Sequence, residues 1–192
     1  VITAGVSIKK TGYVQTMNNN IMRWTVSGVR NDSTTSLQSF YWRDTLPTDA
    51  VRLTRLVTGT YSTTQTYKVT FTTNLNSQWR TAYDNLSTAK NYTLDMSSAA
   101  LGLASNEYVT QFMLSFGIVP AGFHQLTNAT VDAQTLYALT NGYKFTNKAD
   151  VGGLLGGNWV QSIARWTTSI YSHYVPAKPA APKSPTLPRT GY

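Results

Sequence analysis

Cysteine is absent from the chain, and histidine occurs only twice. The lack of cysteine excludes disulfide braces, thiolate metal ligands and a cysteine nucleophile. His124 and His173 lie far apart in the sequence and show no zinc-ligand spacing. The aspartates form no calcium-loop pattern, and no glycine-rich phosphate loop is present. We therefore expect the protein to hold neither a metal ion nor a cofactor.

Charge is also scarce, since charged residues make up 12% of the chain and hydrophobic residues 41%. This balance is typical of extracellular β-rich proteins rather than cytosolic enzymes. No run of 18 apolar residues occurs, so no segment is expected to span a membrane. The net charge is +8, but the basic residues are scattered and form no nucleic-acid motif. We expect either general attraction to anionic surfaces or an ordinary basic surface, and no nucleic-acid partner.

Most of the chain consists of short runs in which apolar and polar residues alternate, separated by clusters of turn residues. Ser27-Gly28 interrupts one run and indicates a β-bulge. Only Ser97 to Leu103 looks helical, for one or two turns, with Ser97 as a possible N-cap. The pattern predicts an all-β fold, an antiparallel Ig-like β-sandwich formed by residues 1–174. The most informative inward-facing runs are Val6, Ile8 and Lys10; Phe40, Trp42 and Asp44; and Phe145, Asn147 and Ala149.

Residues 175–192 differ in composition from the rest of the chain and are rich in proline. Polyproline II has three residues per turn, so prolines at every third position line one edge of an extended helix. At about 3.1 Å per residue the stretch would reach roughly 40 Å, which suits a semi-rigid stalk. A ligand for a proline-binding domain is the competing interpretation. The prolines in this register are Pro176, Pro179, Pro182, Pro185 and Pro188.

The stalk ends in Leu187-Pro188-Arg189-Thr190-Gly191. This segment resembles the LPxTG sorting signal of Gram-positive surface proteins, and it lies at the C-terminal end where that family places it. The resemblance implies that sortase cuts between Thr190 and Gly191 and joins Thr190 to an amine of cell-wall peptidoglycan or of a pilin lysine. It also implies a secreted, cell-wall-anchored protein. A chance match and a ligation tag are the alternatives.

Three polar residues occupy positions where the alternation calls for apolar ones. Lys10 follows Val6 and Ile8, Asp44 follows Phe40 and Trp42, and Asn147 precedes Ala149 on an inward face. Burying a lysine or an aspartate is costly unless the charge is neutralised or paired. We therefore expect these three side chains to meet for a chemical reason.

The segments around these residues are Val6–Thr11, Trp42–Pro47 and Tyr143–Val151. They are similar to the first-strand, DTLP and FxNxA segments of Cna-type collagen-adhesin and pilin stalk domains, and the similarity covers roughly residues 3–170. It implies an isopeptide bond between Lys10 and Asn147, with Asp44 as the catalytic acid and ammonia as the leaving group. Apolar burial suits this chemistry, because it favours a neutral amine and a protonated carboxyl.

Several alternatives remain open at this stage. Lys10 and Asp44 could form a plain salt bridge beside a hydrogen-bonded Asn147. The parity could be off by one, which would place Lys9 inside instead of Lys10. Glu107 is the only glutamate and could serve as the acid, but its parity is opposite to that of the apolar residues on its strand.

Two function classes follow from these features. The first is a wall-anchored surface protein, an adhesin or a pilus subunit, that is not an enzyme apart from its own cross-linking. Val175–Lys178 only partly matches the pilin motif that carries the polymerising lysine, which favours a singly anchored or terminal protein. The alternative is a module that binds carbohydrate or a host extracellular-matrix protein through the sandwich itself. The aromatic residues that could stack on sugars are Tyr41, Tyr61, Trp79, Tyr83 and Trp159, although such residues usually belong to a core.

Overall fold

The computed structural model describes residues 1–14, 21–47, 49–138, 140 and 142–169. Within these ranges the structure has thirteen β-strands and no helix. The alternating runs form the strands because every second side chain can enter a core while the backbone bonds to its neighbours. The strands are β1 Val6–Val14, β2 Ile21–Asn31, β3 Leu37–Thr45, β4 Val51–Val57, β5 Thr60–Tyr61, β6 Thr66–Thr73, β7 Arg80–Ser87, β8 Thr93–Asp95, β9 Val109–Val119, β10 Gln125–Thr127, β11 Ala129–Thr135, β12 Lys144–Leu155 and β13 Asn158–Ser169.

The strands form two large antiparallel sheets. The five-stranded sheet has the order β1-β2-β11-β4-β8, and the six-stranded sheet has the order β13-β12-β3-β9-β6-β7. A short pair, β10-β5, stands beside them. The inner faces enclose one apolar core, in which Trp42 and Phe112 meet edge to face with ring centroids 5.5 Å apart. The predicted antiparallel β-sandwich is confirmed.

The predicted bulge is present in β2. Ser7 pairs with Arg30 and Lys9 pairs with Ser27, so two residues of β2 lie opposite Ile8. Gly28 adopts a φ of 64°, a left-handed conformation that favours glycine.

The helical prediction for Ser97 to Leu103 is wrong. The segment is a single turn in which the Leu101 amide bonds to the Ser97 carbonyl. The Ser97 hydroxyl does accept a hydrogen bond from the Ala100 amide at 3.3 Å, as an N-cap would. Gly102 then adopts a φ of 70° and ends the turn before a helix can extend.

Three predictions fall on residues that the structure does not describe. The proline-rich stretch and Leu187–Gly191 lie outside the described ranges, and so does the domain boundary at residue 174. They stay predictions from the sequence. In the described part of the chain, no helix has the length and apolar character needed to cross a membrane.

Candidate functional site

Lys10 enters the core from β1, the edge strand of the five-stranded sheet. It lies across from Val26 of β2, and its side chain is fully buried. Lys9 points the other way and is exposed beside Gly28. The alternation in β1 therefore turns Lys10 inward and Lys9 outward, because adjacent side chains of a strand leave opposite faces.

Asp44 and Asn147 enter the core from the six-stranded sheet. Asp44 lies in β3, between Ala149 of β12 and Phe112 of β9. Asn147 lies in β12, two residues before Ala149, and is thus a diagonal neighbour of Asp44 on the same face. Asp44 and Asn147 are both completely buried.

The Lys10 ammonium contacts the Asp44 carboxyl directly, with 2.5 Å between Nζ and Oδ2. The other carboxyl oxygen of Asp44 has no hydrogen-bond partner, and neither has the nitrogen or the oxygen of the Asn147 side-chain amide. An amide left unpaired in a core costs free energy on the order of 1–3 kcal/mol. The three groups thus form a buried polar cluster whose hydrogen bonding is incomplete.

The environment of Asp44 favours its protonated form. Burial raises the pKa of its carboxyl, and this effect outweighs the charge and the hydrogen bond of Lys10, which lower the pKa. The neighbouring Asn147 side chain also lowers it, although its amide makes no hydrogen bond of standard geometry. The raised pKa makes Asp44 a better candidate for a general acid than an exposed carboxyl would be.

Aromatic rings surround the cluster and keep water away from it. Nζ of Lys10 lies 5.8 Å from the centre of the Trp24 ring, and Phe145 contacts Trp24 edge to face. Trp166 lies across from Asn147 on β13. Gly12 of β1 leaves room for Trp24 and Trp166, since a Cβ there would collide with Trp24. Sequence reasoning missed this surrounding layer, although the alternation in β2 already turned Trp24 inward.

Glu107 does not belong to the cluster. It accepts hydrogen bonds from Thr73 and from Arg80, at 2.6 Å and 2.8 Å. These bonds, first that of Thr73 and then that of Arg80, lower the pKa of Glu107. Its environment therefore favours the charged form, which is the opposite of what a proton donor needs.

No metal centre is found in the part of the chain that the structure describes. There, His, Asp and Glu form no group of three that could hold an ion. The Nδ1 atom of His124 lies 2.9 Å from the Gly122 carbonyl oxygen.

Comparisons with solved structures return bacterial surface proteins at low identity. The collagen-binding subdomain of the Enterococcus faecalis surface protein ACE shares 10% identity over 86% of this chain and 96% of its own, with a TM-score of 0.39. The collagen-binding domain of a Staphylococcus aureus adhesin shares 12% identity over 88% of this chain and 100% of its own, with a TM-score of 0.41. The C-terminal domain of the Streptococcus agalactiae polypeptide BspA shares 11% identity over 86% of this chain and 50% of its own, with a TM-score of 0.40. No family model and no curated protein sequence matches the chain.

Proposed function

We propose that this chain is a domain of a bacterial surface adhesin or pilus-like protein, locked by an amide bond that it makes between Lys10 and Asn147. The observation that carries the proposal is the fully buried cluster, in which Lys10 touches Asp44 and the Asn147 amide lacks a partner. The domain acts on no external substrate. Its one reaction is its own cross-linking, with Asp44 as the catalytic residue.

The reaction needs only the three side chains. Lys10 passes a proton to Asp44, which leaves a neutral amine beside a protonated carboxyl. The amine nitrogen attacks Cγ of Asn147 while Asp44 hydrogen-bonds to the amide oxygen. Asp44 then carries a proton from the attacking nitrogen to the leaving nitrogen, and ammonia departs. One C–N bond forms and one breaks, so no oxidant or cofactor is required.

The physical alternative, a permanent Lys10–Asp44 ion pair, fits the site less well. A buried ion pair regains its desolvation cost only when further hydrogen bonds satisfy the remaining polar atoms. Here one oxygen of Asp44 and both polar atoms of the Asn147 amide remain unsatisfied. The amide bond replaces the ammonium by a neutral group and removes the unpaired NH₂ of Asn147.

The attachment of the domain is part of the same proposal. The segment Leu187-Pro188-Arg189-Thr190-Gly191 behind the proline-rich stalk supports anchoring by sortase to peptidoglycan or to a pilin lysine. The stalk would hold the sandwich away from the wall. The protein is then secreted and displayed at the cell surface, where a host matrix protein or glycan can reach it.

Intact mass tests the cross-link directly. The purified protein should be lighter than its sequence by one ammonia, and Lys10→Ala, Asp44→Ala and Asn147→Ala should each restore the full mass. Lys9→Ala is the matched control and should keep the deficit, because Lys9 is exposed. A wild-type mass equal to the sequence mass would reduce the cluster to a buried ion pair beside an unpaired amide.

A further inference from the structure

A groove of about 740 Å³ crosses the outer face of the six-stranded sheet. Its volume lies within the usual range for small-ligand sites, roughly 300–1,000 Å³. The groove and the cross-link cluster are independent, because β3 turns Asp44 into the core while its Tyr41 and Arg43 line the groove. The side chains that matter here are Trp159 and Gln161 of β13, Tyr41 and Arg43 of β3, Lys68 of β6 and Asp84 of β7.

Trp159 forms a fixed aromatic platform at one end of the groove. It is 54% exposed, yet it packs against Tyr41 in a T-shaped contact with ring centroids 5.9 Å apart. The Tyr41 hydroxyl donates to Asp150 and accepts a hydrogen bond from Gln161, each at 2.9 Å. Gly152 of β12 leaves room for the Tyr41 ring, since a Cβ there would lie 2.9 Å from it. A side chain that is already held in place loses little entropy when a ligand stacks on it.

Backbone irregularities gather around the same groove. β3 has an extra residue near Ser39 relative to both of its neighbours, and Ser39 has a φ of 50°. β9 is irregular next to Gly117, with a φ of 74°, and β7 next to Asn85, with a φ of 55°. Bulges re-aim side chains, and strained residues of this kind cluster at binding sites. Three neighbouring irregularities on one face indicate a shaped site rather than a flat sheet.

Charge within the groove selects the class of ligand. Arg43 is already neutralised by Asp150, through bonds of 2.9 Å and 2.8 Å. This leaves Lys68 and Asp84, one charge of each sign, so the groove offers no excess positive charge to a polyanion. Asp84 is held in turn by the Asn85 amide at 2.7 Å. The groove also lies on a sheet face, whereas an extended peptide adds to a sheet edge.

We infer that the groove binds a neutral oligosaccharide. A pyranose ring has an apolar C–H face and a rim of hydroxyl groups, so it fits an aromatic face flanked by polar groups of mixed character. One ring would stack on Trp159 with its hydroxyls bonded to Gln161. Rings further along the oligosaccharide would bond to Lys68 and Asp84 at the other end of the groove. A surface protein with such a site would bind glycans directly through the sandwich.

Calorimetric titration with neutral oligosaccharides tests the inference. The probes are pentasaccharides of the cello, malto, xylo, manno and chito series, together with N-acetyllactosamine. At least one should bind, and Trp159→Ala should weaken it by about tenfold or more through loss of the stacking platform. Asp84→Asn should weaken it by roughly fivefold. Trp79→Ala is the matched control, since Trp79 is also exposed but lies outside the groove, and it should leave affinity unchanged.

Three outcomes would overturn the inference. The first is that no neutral probe binds, and the second is that Trp159→Ala binds as well as the wild type. The third is binding confined to heparin or polygalacturonate and abolished by salt, which would identify a polyanion site instead. Circular dichroism of each variant verifies that its fold is intact. The Lys10–Asn147 cross-link is scored separately by mass, so either proposal can fail without the other.

Discussion

Gly12 lies two residues beyond Lys10 in β1, at a point where two tryptophans leave no room for a side chain. Trp24 sits across from it on β2, and Trp166 approaches from β13. This glycine lets the edge of one sheet close against the edge of the other and seals the cluster from water. The proposed reaction at Lys10 would thus depend on a residue without functional groups, because exclusion of water raises the pKa of the Asp44 carboxyl.

Replacing Gly12 by alanine should disturb both the packing and the cross-link. The new Cβ would collide with Cδ1 of Trp24 and come within 3.0 Å of Trp166. Overpacking of this kind costs about 1–3 kcal/mol, so Gly12→Ala should unfold at lower urea and leave a larger uncross-linked fraction by mass. Gly5→Ala is the control, since its Cβ would meet only Asp32 at an ordinary 3.7 Å. Equal urea midpoints and equal cross-linked fractions for the two variants would contradict this account.

At the scale of strands, Asp132 links three adjacent strands of the five-stranded sheet, β2, β11 and β4. It lies on β11 and accepts bonds from Arg23 of β2 at 2.6 Å and from Arg55 of β4 at 2.7 Å. Burial alone would raise the pKa of Asp132, but the hydrogen bonds from Arg23 and then Arg55 outweigh it and lower the pKa. The carboxylate therefore stabilises the folded sheet while it is charged.

The lowered pKa of Asp132 predicts how the stability of the fold depends on pH. A carboxyl whose folded pKa lies below its ordinary value, about 3.9 when unfolded, contributes above that value. The contribution is lost as the pH falls from there through the folded pKa. Asp132→Asn should therefore cost about 1 kcal/mol at pH 7 and progressively less as the pH falls through the folded pKa of Asp132. The cost is modest because solvent screens both arginines. Asp32→Asn, at the exposed pair with Arg30, is the control and should show a smaller difference. If Asp132→Asn lost the same stability at every pH, the charged carboxylate of Asp132 would not be what stabilises the sheet.

Alternation within a strand is a local property, which is why the sequence predicted the strands around Lys10, Asp44 and Asn147 and the bulge at Gly28. The inward parity of these residues followed from the same pattern. The order of strands in the sheets did not, because antiparallel partners such as β2 and β11 are brought together by contacts across the chain. The helix predicted after Ser97 does not form because Gly102, with its positive φ, ends the segment after one turn.

The groove on the outer face could be predicted from the sequence even less than the strand order, because it too depends on long-range pairings. Trp159 and Asp84 belong to the two edge strands of the six-stranded sheet, and nothing in the local sequence relates them. The bulge at Ser39 arises from its registers with β9 and β12, which are long-range pairings. Sequence reasoning named Trp159 and Tyr41 as rings that could stack on sugars, but it could not place them side by side.

At the scale of the whole molecule, the proposed anchoring would depend on the C-terminal segment. A matching sortase should cleave between Thr190 and Gly191 and transfer Thr190 to an added amine, because Leu187-Pro188-Arg189-Thr190-Gly191 matches the sorting motif. Mass spectrometry of the product should show a chain that ends at Thr190 and carries the amine. Alanine at both Leu187 and Pro188 should abolish transfer. Undiminished transfer in that variant would exclude the sorting signal.

The cross-link would join the two sheets of the sandwich, since Lys10 lies in the five-stranded sheet and Asn147 in the six-stranded one. It would close a loop of roughly 140 residues, and a bond closing a loop of that size contributes on the order of 5 kcal/mol by restricting the unfolded chain. Lys10→Met, which removes the amine but keeps the volume, should therefore unfold at much lower urea, whereas Lys9→Met should match the wild type.

The slope of the urea transition separates this effect from the loss of a buried ion pair. A covalent loop keeps the unfolded chain compact and reduces the surface that it exposes, so the wild type should have a smaller m-value than Lys10→Met. Loss of an ion pair would shift the midpoint and leave the slope unchanged. Identical m-values for the two proteins would therefore show that the stability of the sandwich comes from its packing and its ion pairs, without a bond between Lys10 and Asn147.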